Sequence, residues 1–312
     1  MNTQNLTKKL NTYERLIRLD KPIGILLLLW PTLWALWIAS RGHPNWIILL
    51  IFITGTVLMR SAGCVMNDIA DRKYDGLVER TKNRPLATAE VSVKEACLLA
   101  GGISLLAFCL VWQFNKTTIL LSFAALFLAA TYPFTKRFLA IPQAYLGVAF
   151  GFGIPMAFAA VNDYIPPLAW VLLAANVCWA IAYDTEYAMV DRDDDIKIGI
   201  KSSAIFFGQY DVFAVMISYA TMLGLLVYVG KLMGYGTYYY IGLAAALMLV
   251  LWQYQLIKKR VKADCFNAFL ANNWIGFVLF IGLVVHYFVT QLPFATANAK
   301  LIQLHYNCTN RY

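Results

Sequence analysis

Residues 47–75 read IILLIFITGTVLMRSAGCVMNDIADRKYD and combine a long apolar run with an abrupt acidic cluster. The apolar part is long enough to cross a hydrocarbon layer of about 30 Å as a helix. On a helix, spacings of four, seven and eight residues place the polar side chains that follow near one face. These side chains are Asn67, Asp68, Asp71 and Asp75. Carboxylates on one face repel one another unless a cation such as Mg²⁺ lies between them, although a solvated helix end explains a single cluster equally well.

Similar apolar runs recur along the whole chain. It has 312 residues, of which 60% are hydrophobic and 14% charged, a composition too apolar for a soluble domain. About nine runs are long enough, or nearly so, to cross a membrane. They cover residues 23–40, 46–66, 93–113, 118–134, 141–161, 167–188, 212–230, 237–257 and 269–290. We therefore predict an all-α polytopic membrane protein.

The chain divides into three parts on this basis. Residues 23–290 form the predicted transmembrane domain, and the basic segment 1–22 before it is interpreted as an amphipathic helix on the membrane surface. Residues 291–312 are interpreted as a C-terminal tail, and no function is assigned to it. No cleavable signal peptide is expected, because the first twenty residues are polar and basic.

The charges indicate orientation rather than nucleic-acid binding. The net charge is +9, but the charged residues stand in short bursts between the apolar runs. With a cytoplasmic N-terminus and alternating loops, only five of the 26 basic residues fall on the far side: Arg41, Lys116, Lys231, Lys300 and Arg311. The positive-inside rule therefore predicts a multi-pass inner-membrane protein with its N-terminus and acidic clusters in the cytoplasm. The six cysteines form no CxxC pair and the three histidines are far from the acids, so neither a zinc site nor a histidine base is expected.

A second acidic cluster ends the sixth run, in the segment YDTEYAMVDRDDD at 183–195. Asp184, Asp191 and Asp195 share one helical stripe, whereas Glu186 and Asp193 point elsewhere and are expected to be solvated. Both clusters end even-numbered runs, so we expect them on the same side of the membrane. Acids at membrane depth are costly and mark functional sites. With the basic residues around them, they suit a metal-bound diphosphate.

The extended motifs resemble those of the UbiA superfamily of membrane prenyltransferases. The first reads NDIADRKYD at 67–75 and continues as RTKNRPL at 80–86, and the second is Asp191-x-x-x-Asp195-x-x-x-Gly199-x-Lys201-Ser202. The segment YPFTKR at 132–137 is similar to the central loop of the family. At the N-terminus, RLDKPIGILLLLWPTLW at 18–34 is similar to the bacterial members that prenylate 4-hydroxybenzoate. The resemblance covers roughly residues 15–290.

This resemblance implies a fold and an activity. The fold is a bundle of nine transmembrane helices around a cavity that opens to the cytoplasm and laterally to lipid. The activity is Mg²⁺-dependent transfer of a polyprenyl group from polyprenyl diphosphate to the ring carbon ortho to the hydroxyl of 4-hydroxybenzoate, an early step in ubiquinone synthesis. The expected partners are these two substrates and membrane lipid, without nucleic acid, and the oligomeric state stays open.

We hypothesise roles for the matching residues. The catalytic acids are Asp71, Asp75, Asp191 and Asp195, which together with Asn67 form the metal set. The substrate-binding set is Asp68, Arg72, Lys73, Arg80, Arg84, Arg137, Asp184 and Lys201. Arg137 is assigned to the benzoate carboxylate, since a planar guanidinium suits bidentate pairing. Asp191 is also a candidate to accept the ring proton.

Three alternatives compete with this interpretation. CDP-alcohol phosphotransferases also use membrane aspartates, but their acids form one contiguous signature with an Ala-Arg step that does not follow Asp75-Gly76 here. A transporter would place its acids near mid-membrane, whereas these acids stand at the ends of runs. Within the superfamily, acceptors of the menaquinone, haem or chlorophyll branches stay possible, and the prenyl length is not fixed by the sequence.

Overall fold

A computed structural model describes the backbone of residues 3–309 and the side chains of residues 7–290. Apart from two short 3-10 turns, Asp75–Leu77 and Gly208–Tyr210, all regular structure in this part of the chain is α-helical. The helices are α1 (Thr3–Ile17), α2 (Ile23–Ala39), α3 (Trp46–Asp71), α4 (Val93–Val111), α5 (Lys116–Thr135), α6 (Pro142–Gly151), α7 (Gly153–Asn162), α8 (Pro167–Ile198), α9 (Ser203–Phe207), α10 (Asp211–Leu232), α11 (Thr237–Ile257) and α12 (Lys262–Thr309).

Each of the nine apolar runs corresponds to a helix or a helix pair. Eight helical segments within the described residues are long and apolar enough to cross a membrane, with α6 and α7 together forming one of them. The remaining run is α2, an apolar helix of 17 residues. The prediction of an all-α, multi-pass membrane protein is therefore confirmed. The last helix passes residue 290, where the sequence predicts the start of a tail.

The fifth run is broken in a way that the sequence prediction missed. The α-helical run stops at Gly151 and restarts at Gly153. Pro155 lies in the first turn of α7 and has no N–H to donate to the carbonyl four residues earlier. The interruption lies beside the cavity described below, which both helices line.

The two acidic segments differ in local structure. The helix α8 continues ten residues past its predicted end and stops at Gly199, which adopts the left-handed conformation (φ 73°) and donates its N–H to the Asp195 carbonyl. The helix α3 ends at Asp71, so the expectation of one continuous helical face through Asp75 is wrong. Asp75 instead begins a 3-10 turn after the chain has bent at Tyr74, whose N–H bonds the Asp71 carbonyl at 2.8 Å.

The core surrounds α8, which packs against α6, α10 and α12. The fully buried Trp179 of α8 stacks on Trp34 of α2 with ring centroids 5.3 Å apart. We call the end of the bundle that carries Asp71 and Asp191 the motif face, and the other end the opposite face. The helix α1 lies at the motif face, where Arg15 pairs with Glu90 of the loop between α3 and α4.

Candidate functional site

A cavity of about 840 Å³ lies inside the bundle and reaches the motif face. At the motif face its lining is polar and includes Arg18, Asn67 and Arg84. Deeper in the bundle the lining is mainly apolar and aromatic and includes side chains from α3, α4, α5 and α6. A long apolar chain therefore fits below a polar head group in this cavity.

A smaller pocket of about 120 Å³ adjoins the cavity and contains both acidic motifs. Its wall includes Asn67 and Asp71 from α3, and Asp184, Asp191 and Asp195 from α8. The turn and loop after α3 and the segment after α8 complete the pocket with Asp75, Arg80, Arg84 and Lys201. The structure thus brings together most of the residues in the hypothesised site.

Acids on both sides of this pocket form ion pairs with basic side chains. Arg80 bonds Asp191 through Nε at 3.0 and 3.1 Å and through Nη2 at 2.5 Å. Nη1 of Arg84 bonds both carboxylate oxygens of Asp75, at 2.8 and 2.9 Å. Nζ of Lys136 lies 3.4 Å from the Asp71 carboxylate. The repulsion expected among clustered carboxylates is therefore relieved by basic side chains of this chain.

Two of these groups, Asp75 and Arg80 in the segment between α3 and α4, have pKa values that are shifted by their surroundings. Burial raises the pKa of the Asp75 carboxyl above its usual value, although the Arg84 guanidinium opposes this effect. Burial alone would lower the pKa of the Arg80 guanidinium, but Tyr187 and Asp191 raise it overall. Arg80 also lies over the Tyr187 ring, 4.4 Å from its centroid. The guanidinium stays charged beside the acids.

Asp68 does not line the pocket but forms an ion pair with Arg84, which does. Its side chain is 1% exposed and pairs with Arg18 and, at 3.1 Å, with Arg84. Because Arg84 also holds Asp75, the Asp68 carboxylate fixes the cation that neutralises a wall residue. Asp68 is therefore better described as a positioning residue than as a substrate ligand.

Besides Asp68, three predicted substrate-binding residues lie outside both linings. Arg72 and Lys73 are exposed at the end of α3. Arg137 is also exposed, donates through Nη2 to the Ala70 carbonyl at 3.0 Å, and lies over the ring of Phe134. Lys201 does line the smaller pocket, but its Nζ donates to the Phe138 carbonyl at 3.1 Å.

The sequence profile of the UbiA prenyltransferase family matches residues 28–291. The chain belongs to the UbiA prenyltransferase family. It is 62% identical over 284 residues to a 4-hydroxybenzoate octaprenyltransferase of Azoarcus sp. (strain BH72), covering 91% of this chain and 99% of that protein. It is 61% identical over 284 residues to a protein of the same name from Methylobacillus flagellatus, covering 91% and 96%.

Solved UbiA-family structures share the fold. A UbiA homolog from Aeropyrum pernix K1 superposes with a TM-score of 0.74 at 24% identity, over 83% of this chain and 97% of that one. A UbiA homolog from Archaeoglobus fulgidus bound to GPP and Mg²⁺ superposes with a TM-score of 0.68 at 21% identity, over 88% and 99%.

Arg60 is a cavity residue of this UbiA-family protein that the sequence interpretation missed. It lies on α3 about two turns before Asn67 and lines the cavity. Its guanidinium is 5.4 Å from the centroid of the Phe150 ring, and no carboxylate among residues 7–290 forms an ion pair with it. The signal was present in the sequence, since a charged residue inside an apolar run is a functional candidate.

Glu186 was expected to be solvated, and this expectation is wrong. Its side chain is fully buried, and it accepts hydrogen bonds from Tyr219 Oη at 3.1 Å and from Asn272 Nδ2 at 2.9 Å. Two residues along a helix turn a side chain by about 200°, so Glu186 points away from Asp184 and toward α10 and α12. Asp193 is exposed as expected and pairs with Lys262 at 2.8 Å.

The oxygen donors of the smaller pocket suit Mg²⁺ by type. They are the Asn67 amide and the carboxylates of Asp71, Asp75, Asp191 and Asp195. Within the described residues no three acidic, histidine or cysteine side chains converge as a ready-made cage. Mg²⁺ seldom needs one, because proteins usually hold it through one or two carboxylates together with substrate phosphates and water. The donor set therefore fits a metal that arrives with a diphosphate.

Proposed function

We propose that this protein transfers a polyprenyl group from polyprenyl diphosphate to the ring carbon ortho to the hydroxyl of 4-hydroxybenzoate, with Mg²⁺ as cofactor, in ubiquinone synthesis. The observation that carries the proposal is the pocket shared by two acidic motifs at the mouth of an apolar cavity. The names of relatives about 60% identical over nine tenths of the chain support the aromatic acceptor. We further propose an inner-membrane location with the motif face in the cytoplasm, where most basic residues then lie.

Two kinds of residue in the pocket would hold the diphosphate, namely oxygen ligands for Mg²⁺ and basic side chains for phosphate. Asn67, Asp71 and Asp75 would hold one Mg²⁺, and Asp191 and Asp195 the other. When bound, Mg²⁺ stabilises the negative charge that develops on a leaving diphosphate. Arg80, Arg84 and Lys136 contact the acids and are placed to bind the remaining phosphate oxygens.

The cavity wall protects the reacting carbon. As the allylic C–O bond breaks, its electron pair leaves with the diphosphate and the carbon becomes cationic. Tyr183, Tyr187, Phe266 and Phe269 line the cavity next to the acidic pocket, where aromatic faces stabilise a cation and exclude water. The ring carbon of the acceptor then forms the new C–C bond, and its proton passes to a base, for which Asp191 is our candidate.

Arg60 is the better placed group for the acceptor carboxylate. The hypothesis from the sequence assigned this role to Arg137, whose guanidinium lies outside the cavity lining on the Ala70 carbonyl. Arg60 reaches the cavity two turns below the acidic pocket and keeps its hydrogen-bond donors unpaired by acids. A guanidinium there can hold the benzoate by its carboxylate while the ring faces the prenyl carbon.

The transfer is tested with purified protein, Mg²⁺, octaprenyl diphosphate and a panel of aromatic acceptors, with products identified by mass spectrometry. We expect prenylated 4-hydroxybenzoate from the wild type and at least tenfold lower turnover from Asp71→Ala and Asp191→Ala. The exposed Asp193→Ala is the matched control and should stay active. If the only product came from another acceptor, the assignment of 4-hydroxybenzoate as acceptor would be wrong. Near-normal turnover of both acid variants would contradict the proposed active site.

Two arginine variants separate the acceptor roles. Arg60→Ala should raise the KM for 4-hydroxybenzoate about tenfold or more and leave the KM for prenyl diphosphate within about twofold. Arg137→Ala should have the smaller effect on the 4-hydroxybenzoate KM. A larger effect of Arg137→Ala than of Arg60→Ala on this KM would instead assign the carboxylate of 4-hydroxybenzoate to Arg137.

A further inference from the structure

We propose that Gly24 determines the acceptor specificity, because its missing side chain leaves the space in which the Arg60 guanidinium lies. Gly24 is thus a positioning residue, and Arg60 is the group that contacts the carboxylate of the aromatic acceptor. The inference rests on the proposed function, which assigns that contact to Arg60. It adds the reason why the guanidinium stays in one place inside a mainly apolar cavity.

The Arg60 guanidinium contacts two helices other than its own. Three of its atoms lie against Gly24 of α2, since a Cβ built at Gly24 would come within 2.4 Å of Nε and of Nη2 and 2.8 Å of Cζ. The guanidinium also lies over the Phe150 ring of α6, with Cζ 5.4 Å from the ring centroid. Gly24, Arg60 and Phe150 all line the cavity. The space at Gly24 therefore sets the position of the guanidinium relative to α2 and α6.

Only glycine provides this space. Non-bonded heavy atoms pack best at about 3.5–4.0 Å, so a Cβ at 2.4 Å would displace the guanidinium. Gly24 lies in the first turn of α2 and has no left-handed φ, so the backbone itself accepts alanine without strain. The three atoms nearest to that Cβ all belong to the end of the flexible Arg60 side chain. Gly24→Ala is therefore expected to move this side chain and to leave the helix packing intact.

The guanidinium held in this way has no anionic partner of its own. Within residues 7–290, every ion pair is made by another basic residue. An unpaired charge in an apolar surrounding is costly, and a carboxylate ligand relieves this cost through a bidentate pair. A neutral ester of the same aromatic acid leaves the charge unpaired. Arg60 at this position therefore selects the free acid over the ester.

The position of the guanidinium also matters for the geometry of transfer. Arg60 precedes Asn67 by seven residues on α3, which is about 10 Å along the helix axis. A guanidinium displaced from Gly24 would carry the acceptor carboxylate with it and shift the ring relative to the prenyl carbon. A misplacement of about 1 Å can lower a rate about a hundredfold. Gly24 thus acts on acceptor binding and on turnover through a single side chain.

The first test measures the binding of 4-hydroxybenzoate and of its neutral methyl ester to the full chain in detergent, by isothermal titration calorimetry. Gly24→Ala should weaken binding of the acid at least about tenfold and of the ester less than about twofold. Its KM for octaprenyl diphosphate should stay within about twofold of the wild-type value. Equal losses for acid and ester, or a matching rise in the KM for octaprenyl diphosphate, would overturn the inference.

The matched control for this substitution is Gly101→Ala. Gly101 is also a glycine within an apolar helix, α4, but it lies outside both linings, and an added Cβ there has nothing within 4 Å. Gly101→Ala should bind the acid and the ester as the wild type does. A loss of acid binding in Gly101→Ala as large as that in Gly24→Ala would show that any added methyl group has this effect, and would overturn the inference.

A double-mutant cycle tests whether Gly24 acts through Arg60. Gly24→Ala combined with Arg60→Ala should bind 4-hydroxybenzoate no more weakly than Arg60→Ala alone, within about twofold, because the displaced group is already absent. Losses that multiply in the double variant would show that Gly24 acts independently of Arg60. Wild-type affinity of Gly24→Ala for the acid would likewise overturn the inference.

These measurements also separate this inference from the proposed function. If the wild type binds the acid in preference to the ester and both substitutions remove that preference, but no prenylated product forms, the proposed transfer fails while the positioning role stands. If the wild type prenylates 4-hydroxybenzoate but Arg60→Ala binds it normally, the transfer stands and the roles of Arg60 and Gly24 are both wrong.

Discussion

Arg80 donates hydrogen bonds to both carboxylate oxygens of Asp191, although 111 residues separate the two in sequence. The pair joins the loop after the first acidic motif to the helix that carries the second. Arg84 makes the corresponding link within the first motif, between Asp75 and the buried Asp68. The acids are thus held together by guanidinium groups that also have the chemistry to bind phosphate, so the site is organised before substrate arrives.

Replacing Arg80 should therefore damage the site more than the loss of one charge implies. We expect Arg80→Ala to lower turnover at least about tenfold and to raise the KM for prenyl diphosphate. Arg80→Lys should recover only part of the activity, because an ammonium cannot pair in the bidentate way. Lys82→Ala is the control from the same loop, where Lys82 pairs with the exposed Glu79. Steady-state kinetics decide, and wild-type values for Arg80→Ala would contradict the prediction.

Asp68 should matter for stability. Its carboxylate is 1% exposed between Arg18 and Arg84, and breaking a buried ion pair costs about 3–5 kcal/mol. We expect Asp68→Asn to lower the thermal unfolding midpoint measured in detergent. The control is Asp194→Asn, which breaks a pair with a largely exposed Lys197 and should cost no more than about 1 kcal/mol. Equal midpoints for the two variants would show that the Asp68 pairs add nothing.

The sequence predicts those features of this fold that depend on local composition. A run of about 20 apolar residues is recognisable without knowledge of its neighbours, and all nine runs are helical. The pocket at the ends of α3 and α8 follows from the same pattern, because even-numbered runs end on one side of a membrane.

What the sequence did not predict depends on contacts between distant segments. Asp75 reaches the pocket by a turn rather than by helical spacing, and Glu186 is buried because α10 and α12 supply Tyr219 and Asn272. Arg137 and Arg60 show the same limit. Arg60 stands inside an apolar run and Arg137 just after one, so both are candidates from the sequence, and only the packing of the helices decides which one reaches the cavity.

Asp211 should hold the end of α8 in place. It is fully buried at the start of α10 and pairs with Arg192, which follows Asp191, and with Arg260, whose Nη2 lies 2.7 Å away. We expect Asp211→Ala to increase hydrogen exchange in residues 191–199 and to reduce turnover severalfold, since the second motif loses its anchor. Asp193→Ala breaks only an exposed pair and should leave exchange unchanged. Unaltered exchange in Asp211→Ala would show that the motif is held by other contacts.

Acidification should loosen α1. Burial of Glu90 works to raise its pKa, but the Thr88 hydroxyl and the Arg15 guanidinium lower it overall from the usual 4.5. A carboxyl with a depressed folded-state pKa stabilises the fold above its unfolded pKa, and this stabilisation is lost as the pH falls through the folded-state value. Protease cleavage of α1 should therefore increase as the pH falls through the folded-state pKa of Glu90. Glu90→Gln should reduce the pH dependence, whereas Glu14→Gln, at an exposed site on α1, should retain it.

Metal binding should depend on the diphosphate as much as on the protein. Chelation of divalent ions should abolish turnover, and added Mg²⁺ should restore it. Mn²⁺, followed by electron paramagnetic resonance, should bind at least about tenfold more tightly with inorganic pyrophosphate present, because the carboxylates here supply an incomplete oxygen set that phosphate completes. Asp71→Asn and Asp191→Asn should weaken that ternary binding, and Asp193→Asn should not. If the Mn²⁺ affinity is the same with and without pyrophosphate, or is unchanged by both substitutions, the metal binds elsewhere.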